Sequence, residues 1–251
     1  FAFAVAGAAD LVGHALFGFE SDVEALTSPS HLMLFITWFL IMFAPVQAAR
    51  SRTAVTKQPA TFAQSVPKLI GYGCMIACIH IPLMLYFNLG GPDPIVLQSF
   101  RLPNDYANWR MGISGMLLQT IVLLGFALWL VREFKLPRGS FTLAFGFFGL
   151  FVTLLQAWQL PFLMFGGFGL LLDLLYAGLS PDGTRRWQFI LFGALGAAAL
   201  WTAGFSTLGW VEGPNAFYFS GYNFYGSIAQ SVALATMLAY LLSLPAPQRR
   251  N

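Results

Sequence analysis

The chain has 251 residues, of which 57% are hydrophobic, 16% aromatic and only 9% charged. A water-soluble domain carries about a quarter charged residues, so this composition belongs to a bilayer and excludes disorder, coiled coil and collagen. The formal charge of +3 is spread too thinly to form a block that could hold nucleic acid.

The chain opens with FAFAVAGAAD, without an initiator Met or a basic n-region. The expectation is a truncated start, with an incomplete first span, rather than a signal peptide. A helix needs about 20 residues to cross about 30 Å of hydrocarbon. On that measure the apolar runs fall near 1–18, 31–49, 69–90, 111–131, 141–158, 161–179, 188–210 and 223–244. The stretch from Phe141 to Leu179 contains a single charge, Asp173, and is too long for one helix. It divides at Gln159-Leu160-Pro161, because proline is well suited to open a helix. The fold expected is therefore all-α, a polytopic helical bundle of about eight transmembrane helices forming one domain over 1–251.

The basic residues orient it. Arg50, Arg52, Lys57 and Lys68 flank one connection, Arg132, Lys135 and Arg138 a second, Arg185 and Arg186 a third, and Arg249 and Arg250 the tail. Eleven of the thirteen thus fall on alternate connections, which the positive-inside rule assigns to the cytoplasm together with both termini. The opposite connections carry Glu20, Asp22, Glu24, Asp93, Asp105 and Glu212 against Arg101 and Arg110. An integral protein of a bacterial inner membrane is expected. Aromatic residues crowd two of these outer connections, Phe100, Tyr106 and Trp109 in one and Trp210, Phe217, Tyr218, Phe219, Tyr222, Phe224 and Tyr225 in the other. They suit an interfacial belt, an apolar vestibule or a surface for a partner.

The chemistry concentrates in ADLVGHALFGFESDVEALTSPSHLML. Asp10 and His14, four apart, share one face of the first helix, with Asp10 about 10 Å below its outer end. A lone carboxylate at that depth costs several kcal/mol, so it should be protonated, paired or bound to a cation. His31 follows Ser28-Pro29-Ser30, a helix-start signature, and enters the membrane at the level where His14 leaves it. The short connection makes the two helices antiparallel neighbours, so Asp10, His14 and His31 can converge, with Glu24 (or Glu20) hanging above. Two imidazoles and a carboxylate suit copper, zinc or non-haem iron. A protonated His paired with Asp10 would satisfy the carboxylate equally well.

The order Asp10, His14, His31 resembles one subunit of the copper membrane monooxygenases, the particulate methane- and ammonia-oxidising enzymes. Those proteins place an Asp, a His four residues later and a further His at a membrane metal site. The resemblance covers about 22 residues, and the gap between the histidines is longer here and contains a helix break. It implies a transition metal, copper first, and a monooxygenase-like chemistry.

Elsewhere, His80 lies near mid-bilayer just before Ile81-Pro82, where a kink is expected. It is a candidate cofactor residue, as a further metal ligand, as an axial ligand to haem or another pigment, or as part of a proton path. Cys74 and Cys78 share a helix face, too few for a disulfide framework, and read as packing residues. Asp173 should pair with Arg185 or Arg186, or relay protons. Gln156, Gln159 and Gln230 should bond between helices. Small residues at Gly112–Gly115, Gly166–Gly169 and Gly193–Ala197 should let backbones approach.

Three functions fit this pattern. The first is a membrane metalloprotein, an oxidoreductase or a subunit of one, that admits a lipophilic small molecule. The second is a proton- or cation-coupled transporter using Asp10, His14, His80 and Asp173. The third is a noncatalytic subunit of a larger membrane complex or homo-oligomer that docks partners or pigments.

Overall fold

The computed structural model describes residues 1–18, 28–56, 60–87, 106–156, 160–182, 184–213 and 221–244. Among these the chain forms eight helices and no strand: α1 (Ala2–Phe17), α2 (Pro29–Thr56), α3 (Phe62–Phe87), α4 (Tyr106–Glu133), α5 (Ser140–Gln156), α6 (Leu160–Leu179), α7 (Arg186–Glu212) and α8 (Gly221–Leu242). Six of them are long and apolar enough to cross a membrane, whereas α1 and α5 are shorter apolar helices. This is a helical membrane bundle in contact with lipid. The long apolar stretch does divide as expected, with α5 ending at Gln156 and α6 beginning at Leu160. Helix α3 runs on past position 82 to Phe87.

Lipid offers no hydrophobic drive between helices, so association depends on close packing and on polar bonds that have no alternative partner. Glycines mark the tightest crossings. A methyl group on Gly73 would stand 2.6 Å from the carbonyl oxygen of Ala144, on Gly149 2.7 Å from that of Pro161, and on Gly169 2.5 Å from that of Phe141. These positions draw α5 onto both α3 and α6. On α3, Gly71 makes room for Pro45, a proline inside α2 that gives no amide to the carbonyl one turn earlier. Gly193 and Gly196 pack α7 against α8 and α4 as the sequence suggests. Gly166 and Gly167 do not follow that pattern. They line an outward-facing furrow of about 760 Å³ between α5 and α6, and a methyl group on either would meet open space. The signal they share with Gly169 is spacing, and spacing alone does not say which face of a helix meets a neighbour.

Polar bonds add register. The indole N–H of Trp201, fully buried on α7, donates to the hydroxyl of Thr120 on α4 at 2.9 Å. The hydroxyl of Tyr72 donates to the carbonyl of Phe126, and that of Tyr176 accepts from the amide of Leu136. Gln230 is exposed rather than bonded between helices, and Gln156 and Gln159 lie outside the residues whose side chains are described.

Asp173 takes a role different from the one expected. Its carboxylate accepts from the amides of Phe141 and Thr142 at 3.2 and 2.8 Å and from the hydroxyl of Thr142 at 2.6 Å. An acid on α6 thus caps the first turn of α5, whose amides have no partner within their own helix and whose dipole favours a negative charge. Arg185 pairs instead with Asp182, and Arg186 lies over the ring of Tyr240. Asp182 sits in the connection before α7, where the hydroxyl and amide of Thr184 and the amide of Arg185 hold its carboxyl below the usual carboxylate range.

The bundle has two chemically distinct ends. At one, Arg50 pairs with Glu133 at 2.9 Å, Arg132 donates to the carbonyl of Leu242, and Lys68 lies over the ring of Phe134. At the other lie Asp10, His14 and His31. Helix α1 packs along α2 at the margin of the bundle, with Ala6 fully buried and Leu11, Val12 and Leu16 facing outward.

Two substitutions test the α5–α6 junction. Asp173→Ala should destabilise the protein by about 1–3 kcal/mol, because it leaves buried amides without an acceptor, while Asp173→Asn should lose less. Gly169→Ala, one turn away on the same face, should lower the unfolding temperature as well, by forcing Phe141 off the carboxylate. Thermal unfolding in detergent, followed by circular dichroism, reads both. Wild-type stability in Asp173→Ala would show that the cap does not hold the two helices.

Candidate metal centre

Each member of the centre is placed by its helix. Asp10 and His14, one turn apart on α1, turn the same way, and the His14 Nε2 lies 3.3 Å from the Asp10 Oδ2. Helix α2 begins where Ser28 receives the amide of His31 on its hydroxyl and the amide of Leu32 on its carbonyl. Pro29 then occupies the first helical position, where a missing N–H costs nothing. That start aims the first turn of α2 back at α1. The His31 Nδ1 comes within 3.3 Å of the Asp10 Oδ1, and the two imidazole rings meet edge to face at 5.6 Å.

Two serines complete the surroundings. The Ser30 hydroxyl donates to the Asp10 Oδ1 at 2.7 Å, a short bond across the helix pair. The Ser28 hydroxyl lies 2.8 Å from the His31 Nδ1. Neither serine stands out as a site residue in the sequence, where Ser28 reads only as a cap. The available signal is the position of Ser30, immediately before His31 in the first turn of α2 and therefore close to whatever His31 faces.

Asp10, His14 and His31 each present a donor atom, and the three donors lie within 4.8 Å of one another. Nitrogen and oxygen ligands stand about 2.1 Å from a transition metal, so two ligands of one ion are at most about 4.2 Å apart. Small side-chain rotations close that difference. The three side chains are about one-fifth exposed, at 17%, 18% and 24% for Asp10, His14 and His31. Asp10 and His14 border a cavity of about 310 Å³ that Gly18, Ser28, Ser30 and Met33 also help to line. Partial burial strengthens the electrostatics of the site while leaving a route for an ion and its water.

The remaining candidates stand elsewhere. Glu24 and Glu20 lie outside the described residues. His80, on α3, is 1% exposed and does not join the cluster. Its ring meets Phe148 edge-on at 5.1 Å and Phe165 at 6.2 Å, and among the described residues nothing bonds its Nε2. Cys74 and Cys78 are free and buried among packed side chains. Of the two aromatic groups, the side chains described are those of Trp210 and Tyr225, both exposed.

No protein-family model, curated protein or solved structure matches this chain.

In the metal-free protein the Asp10 carboxylate is the polar tie between α1 and α2. Asp10→Ala should destabilise by about 1–3 kcal/mol and Ser30→Ala by about 0.5–1.5 kcal/mol, the ordinary range for losing a charged or a neutral hydrogen bond. Thermal unfolding in the presence of chelator measures both, and unchanged midpoints would mean that packing alone holds α1.

Proposed function

We propose that this protein is a membrane metalloprotein in which Asp10, His14 and His31 hold one transition-metal ion, acting as an oxidoreductase or as a subunit of one. The observation that carries the reading is the convergence of two imidazoles and a carboxylate from two helices, with Ser30 and Ser28 bonded to the acid and to one of the histidines. Such supporting bonds fix the orientation and basicity of metal ligands. The donor set suits copper, zinc or iron, and copper follows from the resemblance of the Asp, His, His order to the copper membrane monooxygenases. Bound there, a copper or iron ion would supply oxygen activation. Electrons for such chemistry must come from a donor, which agrees with a place among other membrane subunits. In this reading the basic end of the bundle faces the cytoplasm by the positive-inside rule, and the metal centre faces the outer side of the membrane.

A lipophilic substrate is supported by the surface next to the centre. An apolar groove of about 420 Å³ between α2 and α3 starts at Leu32, the neighbour of His31, and continues past Phe35, Phe39 and Cys78 to Leu83. It opens toward the lipid-facing side, where a hydrocarbon dissolved in the bilayer is at its highest concentration. The transporter reading gains no such support. Asp173 is engaged as a helix cap, His80 is enclosed by phenylalanines, and Asp10 lies at the margin of the bundle.

Elemental analysis of protein purified in mild detergent should find about one transition-metal ion per chain, and His14→Ala or His31→Ala should reduce it at least tenfold. Because the ligands must shed protons to bind, occupancy should also fall as the pH is lowered. Metal content equal in wild type and both variants would remove the proposal. For copper, the Cu(II) electron paramagnetic resonance spectrum should show nitrogen hyperfine structure that changes in either variant.

A further inference from the structure

At the opposite end of the bundle, α2 and α3 border a second cavity of about 220 Å³. Arg52, Thr53, Gln64 and Lys68 are among its lining residues, with Pro45 and Pro67. Lys68 is the feature that requires explanation. It is 3% exposed, and its ammonium lies 4.2 Å above the ring of Phe134. Among the described residues no carboxylate pairs with it; Glu133, near this end, is taken by Arg50. A cation over an aromatic face gains about 0.5–2 kcal/mol, whereas removing an ammonium from water costs several. The ring alone does not balance that loss.

The neighbouring groups are donors. The Arg52 guanidinium donates to the Gln64 Oε1 at 2.6 Å, and the same oxygen accepts the amide of Thr61 at 3.0 Å. That fixes the side-chain oxygen of Gln64 and leaves its amide nitrogen as the donor end. The Thr53 hydroxyl is committed to the carbonyl of Ala49. A small cavity is thus lined by a buried lysine and an arginine, a pairing of charge that complements a compact anion with several oxygens. The membrane-spanning part of α2 ends at Thr53, and that of α3 begins at Phe62. The cavity reaches from Ala60, outside both spans, to Pro45 and Lys68, inside them, so its mouth beside Arg52 and Thr53 lies where the helices leave the hydrocarbon, and basic pockets between helices at this level are suited to anionic headgroups.

We propose that the Arg52–Lys68 cavity binds a phosphate group, and that its source is the headgroup of an anionic phospholipid. The site is independent of the metal centre at the other end of α2.

Reconstitution of the full chain into vesicles of equimolar phosphatidylglycerol and phosphatidylcholine, followed by detergent extraction and native mass spectrometry, counts the lipids retained. Wild type should keep phosphatidylglycerol in preference to phosphatidylcholine. Lys68→Met, which preserves the apolar stem, and Arg52→Gln, on the exposed side, should each weaken that preference about fivefold, the equivalent of about 1 kcal/mol for one basic residue at an anionic headgroup. Circular dichroism confirms that both variants are folded. Equal retention of the two lipids by wild type, or an undiminished preference in both folded variants, overturns the proposal. In a parallel arm, inorganic phosphate is titrated into lipid-free detergent micelles. Stabilisation there that depends on Lys68, without retention of phosphatidylglycerol, would assign the cavity to a soluble phosphate and overturn the lipid source.

Discussion

A carboxylate half-buried in an apolar bundle is costly unless it finds partners in the protein, and those partners decide where the helices go. Asp10 and Asp173 answer this constraint in two ways. Asp173 satisfies itself with backbone, accepting the unpartnered amides at the start of α5 and locking that short helix onto α6. Asp10 satisfies itself with side chains, a serine and two imidazoles, one from its own helix and one from the helix it packs against. The first solution is structural and leaves no donor to spare. The second leaves nitrogen and oxygen donors converging at the edge of a cavity, the arrangement from which a metal site is built.

The two ends of α2 show how a single long helix serves both faces of the membrane. Its first turn brings Ser30 and His31 to the acid on α1, and its last turns bring Arg50 to Glu133 and Arg52 to the cavity beside Lys68. Between them the helix is largely exposed along its length, with Ile36, Leu40 and Ile41 facing outward. Its inner face packs on the core through Trp38, Phe39, Met42, Phe43 and Val46, with Gly71 seated closely against Pro45 near the basic end and polar contacts fixing its two ends. The most deeply buried side chains come from α3 to α7, where Tyr72, Leu123, Phe145, Phe148, Phe165, Phe192 and Trp201 are almost wholly enclosed. The Asp10, His14 and His31 cluster at the margin of the bundle thus stands apart from that core.

Much of this was legible in the chain. Composition alone identifies a membrane protein, and the apolar runs locate the eight helices, including the division before Pro161, although six rather than eight of them are long and apolar enough to cross a membrane. The gathering of Asp10, His14 and His31 could also be read, since a short connection forces antiparallel neighbours and a spacing of four fixes a face. Alternation of basic residues anticipated that Arg50, Lys68, Arg132 and Arg186 would meet at one end. What those residues contact there, such as Glu133, the rings of Phe134 and Tyr240 and the carbonyl of Leu242, has no local signature.

The tertiary structure decided the rest, and the reason is the same in each case. Whether Asp173 would meet an arginine or a helix start, whether Gly166 or Gly169 would face a neighbour, and whether Ser30 would reach Asp10 depend on how helices distant in sequence rotate and slide against each other. Periodicity gives the faces of one helix but not the azimuth at which two of them meet. Local chemistry in the sequence thus determined which groups needed partners, and the packing of the helices determined which partners they found.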